Sequence, residues 1–430
     1  MNTKGPLALV LCAVAATLRA ADPPKTAFQL QKDAREAYER GDKARFLEDY
    51  EEAARLRPSD VWILYNLACA RSINGQTEAA VAALRQFVAH RVAADLAADK
   101  DFDAIRDAAG YREVVAQMDA LRKERVSSGA SVAFTIPQKE IAAEGVAYDP
   151  VRKAFFVASV RQGEIFRISS DGKISVFVPP GQGLRSPLGM NVDAKRRRLW
   201  VANETIPHMN GGKEGDPPDS SLFAFDLDSG RQVARYEPPP APEPPHFDDL
   251  TVASDGRVYV NDGFHPRIYS IGLDDRALVL WLESDVLDGG TQGLSTTPDA
   301  RTLYVSDYRG LYRVDVATKK VTRLVDPPDL TLAGVDGLVY SAGRLVIVQN
   351  GVQPNRVSLL ELSPEGTTIA RGRILEMNHP VFDEPTLGTV VDDVFYFSAN
   401  NQGHRYHDVK NPPKPEDLQD AVILRVDLKK

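Results

Sequence analysis

One phrase recurs six times between Glu144 and the C-terminus, and it limits the possible folds more than any other feature of the chain. A residue, polar in all but one case, opens a short apolar strand. A tight turn follows, then a second strand ending in Asn, Asp or Ser. The openings are Glu144-Gly-Val, Leu188-Gly-Met, Asp248-Asp-Leu, Gln292-Gly-Leu, Asp336-Gly-Leu and Glu384-Pro-Thr, at intervals of 44, 60, 44, 44 and 48 residues. A period in this range is the signature of repeat architecture, in which each unit buries its apolar face against the next.

Four strand candidates fall in each repeat. In the first repeat the later three are Ala154-Phe-Phe-Val157, Ile165-Phe-Arg-Ile168 and Ile174 to Val178. The fourth strand of each repeat is the more polar one, as expected for an outer edge. The sixth repeat ends at Asp427-Leu-Lys-Lys430 without a fourth strand, and Val132-Ala-Phe-Thr-Ile136 stands unused before the first repeat. Pairing that strand with the last repeat closes a ring and removes an open edge. The expectation is a six-bladed β-propeller over residues 131–430. Three long connections interrupt it, at 205–221, 236–247 and 402–419, and the second is stiffened by prolines.

Residues 27–125 carry apolar and Ala positions at three- and four-residue steps with little β-branched enrichment, which predicts helices. The chain is therefore expected to be an α + β multidomain protein, an N-terminal antiparallel helical repeat array followed by the all-β propeller. Ala34, Ala37, Gly41, Tyr50, Ala53 and Pro58, and then Trp62, Tyr65, Gly75, Ala79 and Leu84, resemble tetratricopeptide repeats, with Asp101 to Met118 as a closing segment. About two such repeats cannot bury their own faces, so they must lean on something else. Ser127-Ser-Gly-Ala130 reads as the joint between the modules.

Lys4, the apolar run Leu7 to Leu18 and the small residues Ala20 and Ala21 predict a signal peptide over 1–21, with an exported, periplasmic or secreted product. No later segment is long and apolar enough to span a membrane. A net charge of -8 and pI near 5.5 argue against nucleic acid as a partner. The two cysteines are Cys12 and Cys69; the latter sits in an apolar stretch and reads as a buried, inert thiol.

In a propeller the first strand of each blade lines the axis, so the opening residues meet at one mouth of the central channel. Glu144, Leu188, Asp248, Gln292, Asp336 and Glu384 form this inner set, and Arg161, Glu204, Asp262, Asp307, Asn350 and Asn400 end the second strands on the same face. Four converging carboxylates repel, so they take up protons or hold a cation. Oxygen donors suit calcium, magnesium or manganese. Such residues also cap strand ends by side-chain to backbone hydrogen bonds, without any ligand. His246 and His265 fall near the mouth.

Glu144-Gly-Val-Ala-Tyr-Asp-Pro150, Gln292-Gly-Leu-Ser-Thr-Thr-Pro-Asp299 with Leu303-Tyr-Val-Ser-Asp307, and Asp336-Gly-Leu resemble the senescence-marker-protein/gluconolactonase/luciferin-regenerating-enzyme family. The resemblance implies a divalent metal in the axial channel, with calcium first and zinc, manganese and magnesium open, and hydrolysis of a lactone or ester. It places metal ligands at Glu144, Gln292 and Asp336, and a general base at Asp336. Substrate contacts are expected from Asp248, Asp249, Glu384, His246 and Asn350. Two family asparagines fall on Asp248 and Gln292, where this chain departs from the pattern. The alternative is a non-catalytic propeller that binds a ligand or protein, with the helical repeats taking a protein or peptide partner.

Overall fold

The computed structural model describes residues 25–207, 215–216, 219–287, 289–408 and 410–429. The expected signal peptide lies outside the described residues. Five helices come first: α1 (Ala27–Glu39), α2 (Lys43–Leu56), α3 (Val61–Ile73), α4 (Thr77–Ala89) and α5 (Ala109–Lys123), with a 3-10 turn at Lys100–Ile105. Side-chain caps set three of the starts. Thr26 and Gln29 form a capping box on α1, Asp42 accepts from Arg45 N on α2, and Asp60 accepts from Trp62 N and Ile63 N on α3. Gly41 and Gly75 take positive φ between paired helices, where a side chain would be strained. The fully buried alanines Ala34, Ala37, Ala53, Ala68 and Ala80 let the pairs approach closely.

The β region is a six-bladed propeller. Each blade is an antiparallel four-stranded sheet, and the fifth carries one extra short strand. Ser131–Ile136 pairs with Ala421–Asp427, so the first strand of the region completes the last blade and closes the ring as the sequence predicts. Separate apolar clusters fill the gaps between neighbouring blades.

The helical array leans on the propeller. Ala333, Val352 and Met377 of the propeller belong to the same buried cluster as the helices. Ala93 N donates to Gln353 O at 2.8 Å, the buried Arg356 donates to Arg91 O at 2.7 Å, and Asn378 Nδ2 donates to Leu121 O, Arg122 O and Glu124 O. The joint differs from its appearance in sequence. Val126–Ser127 forms a strand on the outer edge of blade 5, and the buried Glu376 carboxylate accepts from Ser127 Oγ, Ser128 N and Ala130 N. A small polar stretch that reads as a linker is thus a hydrogen-bonded seam, because a carboxylate distant in sequence satisfies its backbone.

The inner strands position the site. In the first four blades the inner strand advances three residues while its partner advances two: Ala143↔Ser159 to Val146↔Val157, Pro187↔Asn203 to Met190↔Val201, Phe247↔Asp262 to Leu250↔Val260, and Thr291↔Asp307 to Leu294↔Val305. Blade 5 has the same shift between Val335 and Gly337. Each is a β-bulge with the opening residue in it, and a bulge re-aims a side chain. The next residue is Gly in four of these blades because neighbouring inner strands nearly touch. A Cβ on Gly145 would lie 2.3 Å from Leu188 O, and one on Gly293 would lie 2.6 Å from Leu338 Cβ and 2.7 Å from Asp336 O. In blade 6 the regular strand starts only at Gly388, four residues past Glu384, which itself takes φ 67°.

Gly145→Ala is therefore expected to destabilise the protein by about 1–3 kcal/mol, since the obstacle is backbone and not a yielding side chain. A lower denaturant midpoint with unchanged slope is the expected result; an unchanged midpoint would show that the ring has slack.

Candidate functional site

The bulges bring five of the six opening side chains, with Glu384 from the connection before blade 6, to one axial cavity of about 460 Å³. Glu144, Leu188, Asp248, Gln292, Asp336 and Glu384 all line it, as do Asn350 and His246. The three long connections contribute too: Ile206 and Pro207 from the first, His246 from the second and His407 from the third. His208 lies outside the described residues.

The charges at this mouth are one-sided, with no Lys or Arg lining it among the described residues. Burial, then Asp336, Asp248 and Glu384 in turn, push the Glu144 carboxyl well above its ordinary range. Asp248 is raised by burial and by Asp336, Asp249 and Glu204. Burial takes Asp336 up to about 7, against the lowering effect of its hydrogen bond with Asn350. The Asn350 Nδ2 donates to Asp336 Oδ2 at 2.5 Å. Asn401 Nδ2 donates to Glu144 Oε2 and also, at 3.0 Å, to Ala143 O. Gln292 Nε2 donates to Gly263 O at 3.2 Å, which leaves its amide oxygen for a ligand. Glu384 Oε2 accepts from His404 N at 2.8 Å.

His246 is held on one side. Its Nδ1 lies 2.8 Å from Oε1 of the largely buried Glu204, and its ring packs against Phe264 with centroids 3.9 Å apart and the planes tilted by 40°. The hydrogen bond to Glu204 is the main cause of a raised imidazole pKa, and burial is the main cause of a raised pKa at Glu204. His265 is paired instead with Asp262 and Glu243.

Asp249 does not join this cavity. It occupies the blade 3 position that four other blades give to Gly, and its carboxylate fills the seam between blades. There it accepts from Leu250 N at 2.8 Å and Leu294 N at 3.2 Å. It lines a second cavity of about 540 Å³, with Lys153, Asn191, Ser295 and Asp392. Burial raises its carboxyl to about 7.

Four lining residues escape a reading of the inner set: Glu204, Tyr308, Thr386 and Asn401. Glu204 ends a second strand and was visible in the outer set. Asn401 is one position beyond Asn400, which turns away to bond Asp420 O and Val422 N. Tyr308 follows Asp307 on a tight turn and stands at the rim with about half its surface open.

The donor set fits a hard divalent cation in kind, being carboxylate and amide oxygens with no cationic side chain to neutralise them. No three carboxylate or imidazole ligand atoms of this mouth lie within 4.8 Å of one another among the described residues; the one such group is Cys69, Asp99 and Asp101 in the helical array.

Residues 49–82, from within α2 to within α4, match the tetratricopeptide repeat family model. No curated protein sequence matches the chain. Among solved structures, it is similar to a gluconolactonase from Xanthomonas campestris, at 16% identity and TM-score 0.46, over 68% of this chain and 87% of that one. It is also similar to virginiamycin B lyase from Staphylococcus aureus, at 13% identity and TM-score 0.45, over 69% of this chain and 100% of that one. A luciferin-regenerating enzyme matches at 13% identity and TM-score 0.45, over 70% and 95%. These are distant likenesses of fold. The helical region is thus similar to tetratricopeptide repeats, and the β region is a six-bladed propeller by its own strand pairing.

Proposed function

We propose that the protein is an exported, divalent-cation-dependent hydrolase of a lactone or ester, with its site at the axial mouth. The observation that carries this reading is the set of five carboxylates, Glu144, Glu204, Asp248, Asp336 and Glu384, around one cavity with no Lys or Arg among its described lining residues. Calcium is the first candidate ion. Glu144, Gln292 and Asp336 would hold it. When bound, the ion supplies Lewis acidity to a carbonyl oxygen and acidity to a water molecule.

The chain's own groups divide the remaining work. Asn350 occupies Oδ2 of Asp336, so Oδ1 is the atom left to accept a proton. Asn401 fixes Glu144 from the opposite side. Glu204 holds Nδ1 of His246, so the other ring nitrogen is left for substrate oxygen. Phe264, Ile206 and Pro207 offer an apolar wall to the rest of the substrate and exclude water there. Asp248 and Glu384 complete the rim as polar contacts.

A second reading has an observation of its own. A groove of about 690 Å³ in the helical array is floored by Phe28, Tyr38, Phe46, Tyr50 and Tyr65, with Lys32 and Arg35 on one helix and Asp99 and Asp101 across from them. Such a surface suits a peptide, and the propeller would then be a binding module. Among the described residues no helix is long and apolar enough to cross a membrane.

Hydrolysis of a panel of lactones and aryl esters, with calcium, manganese or zinc, is expected for the wild type. Asp336→Ala should lower the rate by about 10²–10⁴-fold. Equal rates in the two proteins would remove Asp336 from the chemistry and favour the binding module.

Stability gives a second check. The raised carboxyls of Glu144, Asp248 and Asp336 mean that the folded, metal-free protein binds more protons than the unfolded chain, whose carboxyls titrate near about 4. Their contribution is therefore fully present below about 4 and is lost as pH rises through their raised folded-state values, about 7 for Asp336. The Tm gain on adding calcium to EDTA-treated protein should be larger at pH 8 than at pH 5. Glu144→Gln should raise the metal-free Tm at pH 8 by on the order of 2–4 °C and reduce the calcium effect. A calcium effect independent of pH would contradict the reading.

A further inference from the structure

The helical array reaches the back of the axial site at the Tyr308 turn. Trp62, on the first turn of α3, donates its indole Nε1–H to Tyr308 O at 3.1 Å. The same carbonyl accepts from Gly334 N at 2.9 Å, two residues before Asp336. Gly334 O in turn accepts from Gly351 N at 3.1 Å, next to Asn350, which holds Asp336. Three hydrogen bonds, joined through Gly334 and the Asn350–Gly351 peptide, therefore link a helix of the array to the Asp336–Asn350 pair.

Packing follows the same line. Ala333 and Val352, flanking these residues, are buried in the core of the helical array and not between blades. The approach is tight, since a Cβ on Gly334 would lie 2.6 Å from Gly351 C and 2.7 Å from Val352 N. On the other side of the turn, Arg309 donates to Gln31 Oε1 of α1, and its guanidinium lies 5.9 Å from the Phe28 ring. Asp307 Oδ1 fixes the turn itself by accepting from Arg309 N at 2.7 Å and Gly310 N at 2.8 Å. Thus of two adjacent residues Tyr308 lines the axial cavity and Arg309 lines the helical groove.

We infer that Trp62 is a positioning residue for the axial site: the helical array sets the Tyr308, Asp336 and Asn350 sector of the mouth through the Tyr308–Arg309 turn. The inference rests on the axial mouth being the functional site. It gives the array a role that needs no external partner. It also provides a route by which occupancy of the groove and of the mouth would affect one another, since any such coupling is reciprocal.

The test uses the full chain with Trp62→Phe, which keeps an aromatic ring and loses the N–H. Tyr38→Phe is the control, because it loses a hydrogen bond to Asp101 within the array alone. Amide hydrogen exchange at Gly334 and Gly351 should speed up at least about 5-fold in Trp62→Phe and not in Tyr38→Phe. Calcium affinity should fall about 5-fold or more in Trp62→Phe. That fall should shrink when the substitution is made in an Asn350→Ala background, as expected for groups acting through one another. Equal exchange in the two variants would overturn the inference, whatever the cation result. Unchanged calcium affinity in Trp62→Phe, with a wild type that binds calcium, would overturn it too. A wild type that binds no cation, with faster exchange in Trp62→Phe alone, would sink the hydrolase reading and leave the positioning role supported.

Discussion

Crowding at the propeller axis is the constraint on which the other features rest. In four blades the inner strands converge until a single methyl group has no room, as the 2.3 Å approach to Leu188 O at Gly145 shows. The chain meets this with a Gly after the opening residue in four blades and a bulge in five. The bulge turns the opening side chain toward the mouth. Because the strands cannot separate, these side chains have one place to go. Four of the six are acidic, so the packing solution produces an electrostatic problem at the same point.

That problem has two physical solutions, and both are written into the residues. Protons answer it where burial and mutual repulsion raise Glu144, Asp248 and Asp336. On the proposed reading, a hard cation would be the second answer. Amide groups hold the site: Asn350 donates to one oxygen of Asp336 and Asn401 to one oxygen of Glu144. The helical array packs behind the Asp336 sector without lining the mouth. Its Trp62 bond and its burial of Ala333 and Val352 make the mouth a product of both domains.

The fold was legible because its signals are periodic. Repeated strands, the missing outer strand of the last repeat and the spare strand Val132 to Ile136 point to one closure, and the pairing with Ala421–Asp427 has that form. The inner ring was legible for the same reason. Less of the remaining site was, because it depends on position within a turn and not on period. Asn400 and Asn401 are identical in type and adjacent, yet one bonds the blade edge and the other Glu144. Asp249 sits beside Asp248 in sequence but on the far side of the pleat, where it replaces a Gly and serves the seam. The joint at 127–130 gives no sign of its hydrogen-bonded seam because its anchor, Glu376, is about 250 residues away along the chain.

The most direct test of the account is a calorimetric titration of EDTA-treated protein with calcium, magnesium and manganese, repeated on Asp336→Asn and Glu144→Gln. The account predicts one ion per chain for at least one of these metals, with binding weakened at least about 10-fold, equivalent to about 1.4 kcal/mol, in each variant. Absence of binding in the wild type, or binding that both variants retain unchanged, would contradict the claim that the axial carboxylates exist to hold a cation.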